Sequence, residues 1–320
     1  TGGSTNTHEV DDLQVCAQSL SPIVAIDHYE FTVNGTPLTC TPATVSVRAC
    51  MDAACTTTYS GNVNVTLQPT GGWLGGDTKT FPGSGASFDL RETVAGTYTL
   101  GVVANSSTPA LKAFTQNASL CSINGGAMSA NCALAFSDAG LLYTVPAQTS
   151  GVTSGPIEIT AAKTDDATKT CVPAFAGVTR TLNFWSGYVD PATGTRQLLL
   201  NGTALSTNAA SPTPLAVSFD AQGKASVTLN YADAGRVSLN ARYAGSAVTG
   251  DSGLSMPGSA TFPVVPYRLC VDSDDSGWQC PSASTACTRY RKAGENFRLR
   301  VTAKAFASGV TDTCSLPTTP

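Results

Sequence analysis

Two stretches 139 residues apart, SFDLRETVAGTYTL (87–100) and SVTLNYADAGRVSL (226–239), align without a gap. Ser87 matches Ser226, Leu90 matches Leu229, Ala95 and Gly96 match Ala234 and Gly235, and Leu100 matches Leu239. A second pair, IEITAAK (157–163) and LRVTAKA (299–305), recurs at nearly the same offset. A period of that length is one β-domain long, so the chain is expected to fold as a tandem array. Each copy of the first pair reads as a strand, a tight turn and a returning strand. Ala-Gly marks the turn, where a residue without Cβ accepts positive φ and a close neighbour.

The rest of the sequence agrees with that period. Apolar residues alternate at Val45, Val47 and Ala49, at Val63, Val65 and Leu67, at Tyr98, Leu100 and Val102, and at Val237, Leu239, Ala241 and Tyr243. Such alternation belongs to half-buried strands. Between them lie QPTGGWLGGD, FPGSG and VDPATGT, which are turn chemistry rather than helix caps. Only TPALKAFTQNASL (108–120) has a weakly helical look. The expected class is all-β, with disulfide-stabilised immunoglobulin-like β-sandwiches in tandem. The expected divisions are 1–133 (an N-terminal segment plus sandwich 1), 134–262 (sandwich 2) and 263–320, the start of a third domain too short to close seven strands.

Charge narrows the function classes. The chain has 18 basic and 22 acidic residues, a net charge of −4, and no run of lysines, so nothing attracts nucleic acid or an anionic membrane. No apolar stretch approaches the ~20 residues that span a bilayer, so no membrane insertion is expected. Eleven cysteines against two histidines, His8 and His28, favour disulfides over zinc and an oxidising compartment over the cytosol.

The segment RACMDAAC (48–55) holds Cys50 and Cys55 with four residues between them. Zinc needs four ligands, usually as two close pairs, and a redox dithiol normally has two intervening residues at a helix N-terminus. Neither fits, so a bridge closing the turn after the strand TVSVRA is expected. Further pairings read from spacing are Cys121 with Cys132, Cys270 with Cys280 (or Cys280 with Cys287), and Cys16 with Cys40. An alternative set joins Cys132 to Cys171 and Cys270 to Cys314. The odd total leaves one cysteine over, and Cys314 is the expected orphan.

Four long phrases, DHYEFTVNGTPLTCTPATVSVRAC (27–50), FSDAGLLYTVP (136–146), CVPAFAGVTRTLNFWSGYVDPATGT (171–195) and YADAGRVSLNARYAGS (231–246), together resemble the MshQ-like proteins of bacterial MSHA-type pilus loci. The resemblance spans about 27–300. It implies a large secreted bacterial surface protein, associated by locus with type IV pili, in which a lectin-like domain often accompanies this region. It brings no catalytic residue.

Candidate sites are few. Asp272, Asp274 and Asp275 precede a glycine in CVDSDDSGW and present carboxylates suited to Ca2+, without the distal Glu of a full calcium loop; an exposed acidic turn is the plainer reading. His28 stands beside Asp27 and Glu30; on a strand His28 and Glu30 share a face while Asp27 points away, and no nucleophile motif accompanies them. Trp73, in GGWLGG, is the candidate for stacking on a sugar ring, whereas Trp185 reads as a core residue with Leu182, Phe184 and Tyr188. No enzyme and no obligatory cofactor is expected. The expected role is a structural or adhesive segment at the bacterial cell surface or outside the cell, a stalk or fibre element. Its expected partners are other surface or pilus proteins or copies of itself; the alternative is a carbohydrate-binding module.

Overall fold

In the computed structural model, the described residues are 25–112, 117–272, 294–311, 314 and 316–319. All regular structure among them is β, and none forms a helix; the helical look of 108–120 is not realised where the chain is described. No helix there is long and apolar enough to cross a membrane.

The first sandwich contains β1 (His28–Val33), β2 (Ala43–Cys50), β3 (Asn62–Gln68), β4 (Thr78–Pro82), β5 (Ala86–Leu90), β6 (Gly96–Thr99), β7 (Gly101–Val102), β8 (Leu120–Ile123) and β9 (Ala133–Phe136). One sheet runs β5-β2-β1-β8; the others are β4-β3-β7 and β6-β9. In β2, Val45, Val47 and Ala49 turn inward while Thr44, Ser46 and Arg48 face solvent, as a period of two requires. They meet Tyr29, Phe31, Val63, Val65, Phe81 and Phe136 in a single core that runs from Ile26 to Phe136.

The second sandwich contains β10 (Ala139–Leu142), β11 (Gln148–Thr149), β12 (Ile157–Thr164), β13 (Cys171–Pro173), β14 (Thr179–Asp190), β15 (Leu199–Leu200), β16 (Thr203–Ala204), β17 (Thr213–Ser218), β18 (Lys224–Val227), β19 (Leu229–Asn230), β20 (Gly235–Ala244) and β21 (Ser255–Val265). A five-stranded sheet, β11-β21-β20-β14-β17, is one layer; β10, β12, β13 and β18 form another. Its core includes Leu141, Ile159, Phe175, Phe184, Leu239 and Phe262. A third unit follows as β22 (Arg268–Asp272) paired antiparallel with β23 (Arg300–Lys304).

The repeated segment is not a hairpin. β5 pairs with β2 while β6 pairs with β9, and β18 pairs with β12 while β20 lies between β14 and β21. In both copies the chain therefore crosses from one sheet to another at the Ala-Gly step. Gly235 does take a positive φ of 139°, and a Cβ there would lie 2.6 Å from the Asp190 carbonyl oxygen; Gly96 has no such requirement.

The same parity places Trp185. Leu182, Phe184 and Ser186 are the buried residues of β14, so their neighbour Trp185 faces out of the core that sequence spacing assigned it to.

Candidate functional site at the junction of the sandwiches

Only Ser137 and Asp138 lie between the end of β9 and the start of β10. A connection that short cannot act as a free tether. The loop from Asn34 to Pro42, between β1 and β2, fills the corner beside it. Thr39 N–H donates to the Ser137 carbonyl at 3.0 Å, and Ser137 N–H donates to the Pro37 carbonyl at 3.1 Å. Leu38 and Cys40 pack with Ala162 and Leu142 in a small apolar cluster that belongs to neither main core.

At the centre is Thr39, fully buried. Its hydroxyl is 2.7 Å from Asp138 Oδ1 and 2.7 Å from Thr164 Oγ1. The Thr39 proton goes to the carboxylate, so Thr164 donates to the Thr39 oxygen and both lone groups are satisfied. Cys40, the next residue, is joined to Cys171 of β13, with Cα atoms 5.0 Å apart and a sequence separation of 131.

Further hydrogen bonds cross the same boundary, among them Ser259 N–H to Thr36 Oγ1 at 3.0 Å, Thr261 Oγ1 to the Asn124 carbonyl at 2.7 Å and Arg91 Nη2 to the Lys169 carbonyl at 3.2 Å. Gly140 and Gly258 sit where no larger residue fits, since a Cβ on either would approach atoms of Leu38 or Leu141 to 2.8 Å. Beside these contacts is a cleft of about 370 Å3 between the sandwiches, lined by Thr36, Asn124, Trp185, Asn240 and Ser259 among others.

The device recurs one step along. Only Pro266 and Tyr267 separate β21 from β22. The loop after β11 meets the third unit, where Phe306 N–H donates to the Ser150 carbonyl at 2.9 Å. Gly151, φ +77°, presses so closely on the Phe306 backbone that a Cβ would collide with its carbonyl oxygen.

The cysteines of the described residues form four bridges: Cys40–Cys171, Cys50–Cys55, Cys121–Cys132 and Cys270–Cys314. Spacing had placed Cys40 with Cys16 and Cys270 with Cys280, and had left Cys314 alone. Cys40 instead lies against the next domain. Cys314 reaches Cys270 because the chain after β23 folds back on it, with Ala305 N–H donating to the Pro317 carbonyl and Thr319 N–H to the Ala303 carbonyl. Of the alternative set, Cys270 with Cys314 is the bridge formed, whereas Cys132 with Cys171 is replaced. Cys16, Cys280, Cys287, Asp274 and Asp275 lie outside the described residues. Asp272 ends β22, 3.8 Å from Arg300.

Trp73 is not a sugar-stacking surface. It is 4% exposed, bridges to Leu90 and belongs to the first core.

A second cluster sits on the outer face of β1, and spacing misjudged one member of it. The Asp27 carboxylate does not point away: it accepts from His28 Nδ1 at 2.9 Å, from Asn117 Nδ2 at 2.7 Å and from Lys112 Nζ at 3.1 Å. Burial alone would raise its pKa, and these donors outweigh that and hold it at about 2. Arg48 Nη2 closes on Glu30 Oε2 at 2.5 Å. The remaining Glu30 oxygen, Oε1, faces His28 Nε2 at 3.5 Å, and Nε2 has no hydrogen-bond partner. Sequence put His28 and Glu30 on one face, as the structure does, but signalled neither the contacts of Asp27 with Lys112 and Asn117 nor Thr39, Asp138 and Thr164, because ordinary polar residues acquire their roles only when distant segments meet.

Comparison with known proteins finds three family matches. Residues 118–259 match the "Domain of unknown function (DUF6701), first Ig-like domain", residues 265–320 match "DUF6701, second domain", and residues 26–110 match the "Domain of unknown function (DUF8613)". The first match begins at β8, which pairs with β1 inside the first sandwich. No curated protein matches. Among solved structures, the D0-D1 domain of intimin aligns over 72% of this chain and 96% of its own, at 15% identity and a TM-score of 0.28. The adhesin InvE of Yersinia pseudotuberculosis aligns over 73% and 56%, at 13% and 0.23. The Escherichia coli alpha-2-macroglobulin activated by porcine elastase aligns over 78% and 23%, at 11% and 0.24. Similarity at these levels says nothing of function.

Proposed function

We propose that the chain is a rigid structural segment of a secreted or surface-exposed bacterial adhesin, with tandem sandwiches holding a binding element at a fixed distance and angle. The carrying observation is the junction. A two-residue connection, a buried Thr39–Asp138–Thr164 set and a disulfide fix one sandwich on the next, and a similar contact recurs at the third unit. Four bridges favour an oxidising location. The MshQ-like resemblance extends the reading to a pilus-associated protein whose partners are other surface proteins or copies of itself. No catalytic step is assigned.

Small-angle scattering of the whole chain under non-reducing conditions tests the reading. A single arrangement of the two sandwiches, residues 25–265, is expected to fit the whole-chain profile. A profile that demands a broad spread of inter-domain angles overturns it.

The cleft beside Trp185 favours one secondary reading, glycan binding. A half-buried indole lies there among hydroxyl and amide side chains, the combination that grips a sugar ring. Glycan-array binding lost in Trp185→Ala supports it, and an array without hits removes it.

A further inference from the structure

The Cys50–Cys55 bridge sits beside a carboxylate and an imidazole whose arrangement it does not explain. Both residues of β1 and the cysteine are buried, and one ring nitrogen of His28, one carboxylate oxygen of Glu30 and Cys50 Sγ all lie within 4.8 Å of one another. In the oxidised protein the Cys50 sulfur is half of a disulfide and stands in for the thiolate it becomes when the bridge opens.

The imidazole is oriented in advance. Asp27 Oδ1 only accepts, so His28 Nδ1 carries a proton and the free electron pair of a neutral ring is on Nε2. Nε2 lies 3.5 Å from Glu30 Oε1 and has no hydrogen-bond partner, so two acceptors stand side by side. What belongs between two such atoms is a cation. Ligands about 2.1 Å from a tetrahedral ion lie about 3.4 Å apart, so the observed separation already matches a shared ion. A carboxylate behind the far nitrogen of a ligating histidine is the usual support of such sites, and Asp27 occupies that position. Arg48 holds Glu30 by its other oxygen, leaving Oε1 to the site.

We propose that opening the Cys50–Cys55 bridge converts this cluster into a site for a zinc-class divalent cation, with His28 Nε2, Glu30 Oε1 and Cys50 Sγ as ligands and Cys55 Sγ as the fourth. Metal and disulfide are then alternative occupants of one place. A dithiol opens the bridge by exchange, becoming a cyclic disulfide as the protein gains two electrons and two protons. The protons leave as the thiolates take the ion. Closing reverses this: an external disulfide takes two electrons from the two thiolates and departs as two thiolates, and the ion leaves with its charge unchanged. The bridge that closes the turn after β2 thus has a second, reduced state in which the turn is closed by metal.

The test uses the full chain. Cys55→Ser frees Cys50 as a thiol without reductant and leaves the other three described bridges formed. Titration with Co2+ is expected to give one equivalent of tetrahedral ligand-field absorption with a thiolate-to-metal band, displaced by Zn2+, water taking the fourth position that Cys55 vacates. The oxidised parent is expected to give none. Adding His28→Gln or Glu30→Gln to Cys55→Ser is expected to abolish the absorption, and adding Asp27→Asn to weaken binding about 10- to 100-fold. Cysteines elsewhere are the same in all these proteins, so metal held by them survives the substitutions. No tetrahedral band in Cys55→Ser, or an equal band after Glu30→Gln in protein whose circular dichroism matches the parent, overturns the proposal.

Discussion

Replacing both Cys40 and Cys171 with alanine removes the covalent tie between the sandwiches and leaves every hydrogen bond around Thr39 in place. The tie closes a loop whose ends are 131 residues apart. The chain-entropy relation for cross-links gives about 5 kcal/mol for a loop of that size at 25 °C, against about 2 kcal/mol for Cys50–Cys55, whose ends are 5 apart. At about 2 to 4 °C per kcal/mol for a unit of this length, the double substitution lowers the midpoint by about 10 to 20 °C, and Cys50→Ala with Cys55→Ala by about 4 to 8 °C. Scanning calorimetry under non-reducing conditions reads both. The Cys40 and Cys171 variant is also expected to resolve into two transitions, because the cores of Ile26–Phe136 and Ala139–Val264 then share only the contacts at their boundary. A single transition at the parent midpoint refutes the reasoning, and so does a larger drop from the short bridge than from the long one.

Thr39→Val leaves Asp138 and Thr164 without their shared partner and is expected to cost about 1 to 3 kcal/mol in denaturant unfolding, with Thr39→Ser close to the parent. Acid should weaken both sandwiches. Asp27 is held at about 2, and so is Asp251, by hydrogen bonds from Thr249, Tyr243 and Ser246 and by Arg180, all against its desolvation. A carboxyl held below its unfolded value of about 3.9 contributes stability above that value and loses it as pH falls towards 2. Unfolding midpoints should therefore decline from about pH 5 downward, less steeply in Asp27→Asn. Gly151→Ala places a methyl against the Phe306 carbonyl and should shift the third unit, visible as a changed scattering profile with the midpoint of the first sandwich unmoved. Trp73→Ala should lower the stability of the first sandwich by about 3 to 5 kcal/mol, as loss of a core aromatic does, and leave any glycan binding unchanged.

Sequence showed most where the physics is local. The alternation of Val45, Val47 and Ala49 predicts an inward face because side chains of a strand alternate whatever lies opposite, and the structure buries those residues. Cys50 with Cys55 and Cys121 with Cys132 were readable because short separations leave little choice of partner. The rest depended on which segments meet. A strand, an Ala-Gly step and another strand look alike whether the second returns beside the first or crosses to the facing sheet, and β5 to β6 crosses. Cys40 finds Cys171 only because the β1–β2 loop lies against the next domain. Glycines around Trp73 suggested exposure, but the indole is buried in the first core, where Trp73 bridges to the distant Leu90. The Asp27–His28 contact defied strand parity because Asp27 precedes β1, where alternation no longer governs the side chain.

The long bridge also sets an order of events. As the chain is made from its amino end, Cys50, Cys55, Cys121 and Cys132 all emerge after Cys40 and before Cys171. Cys40 must pass each of them without keeping a bond to it. Native pairing in a newly made chain therefore depends on thiol exchange that can undo an early wrong partner, whereas the neighbours Cys50 and Cys55 need only oxidation. A host that oxidises thiols but does not reshuffle them would yield folded sandwiches with the joint between them unmade.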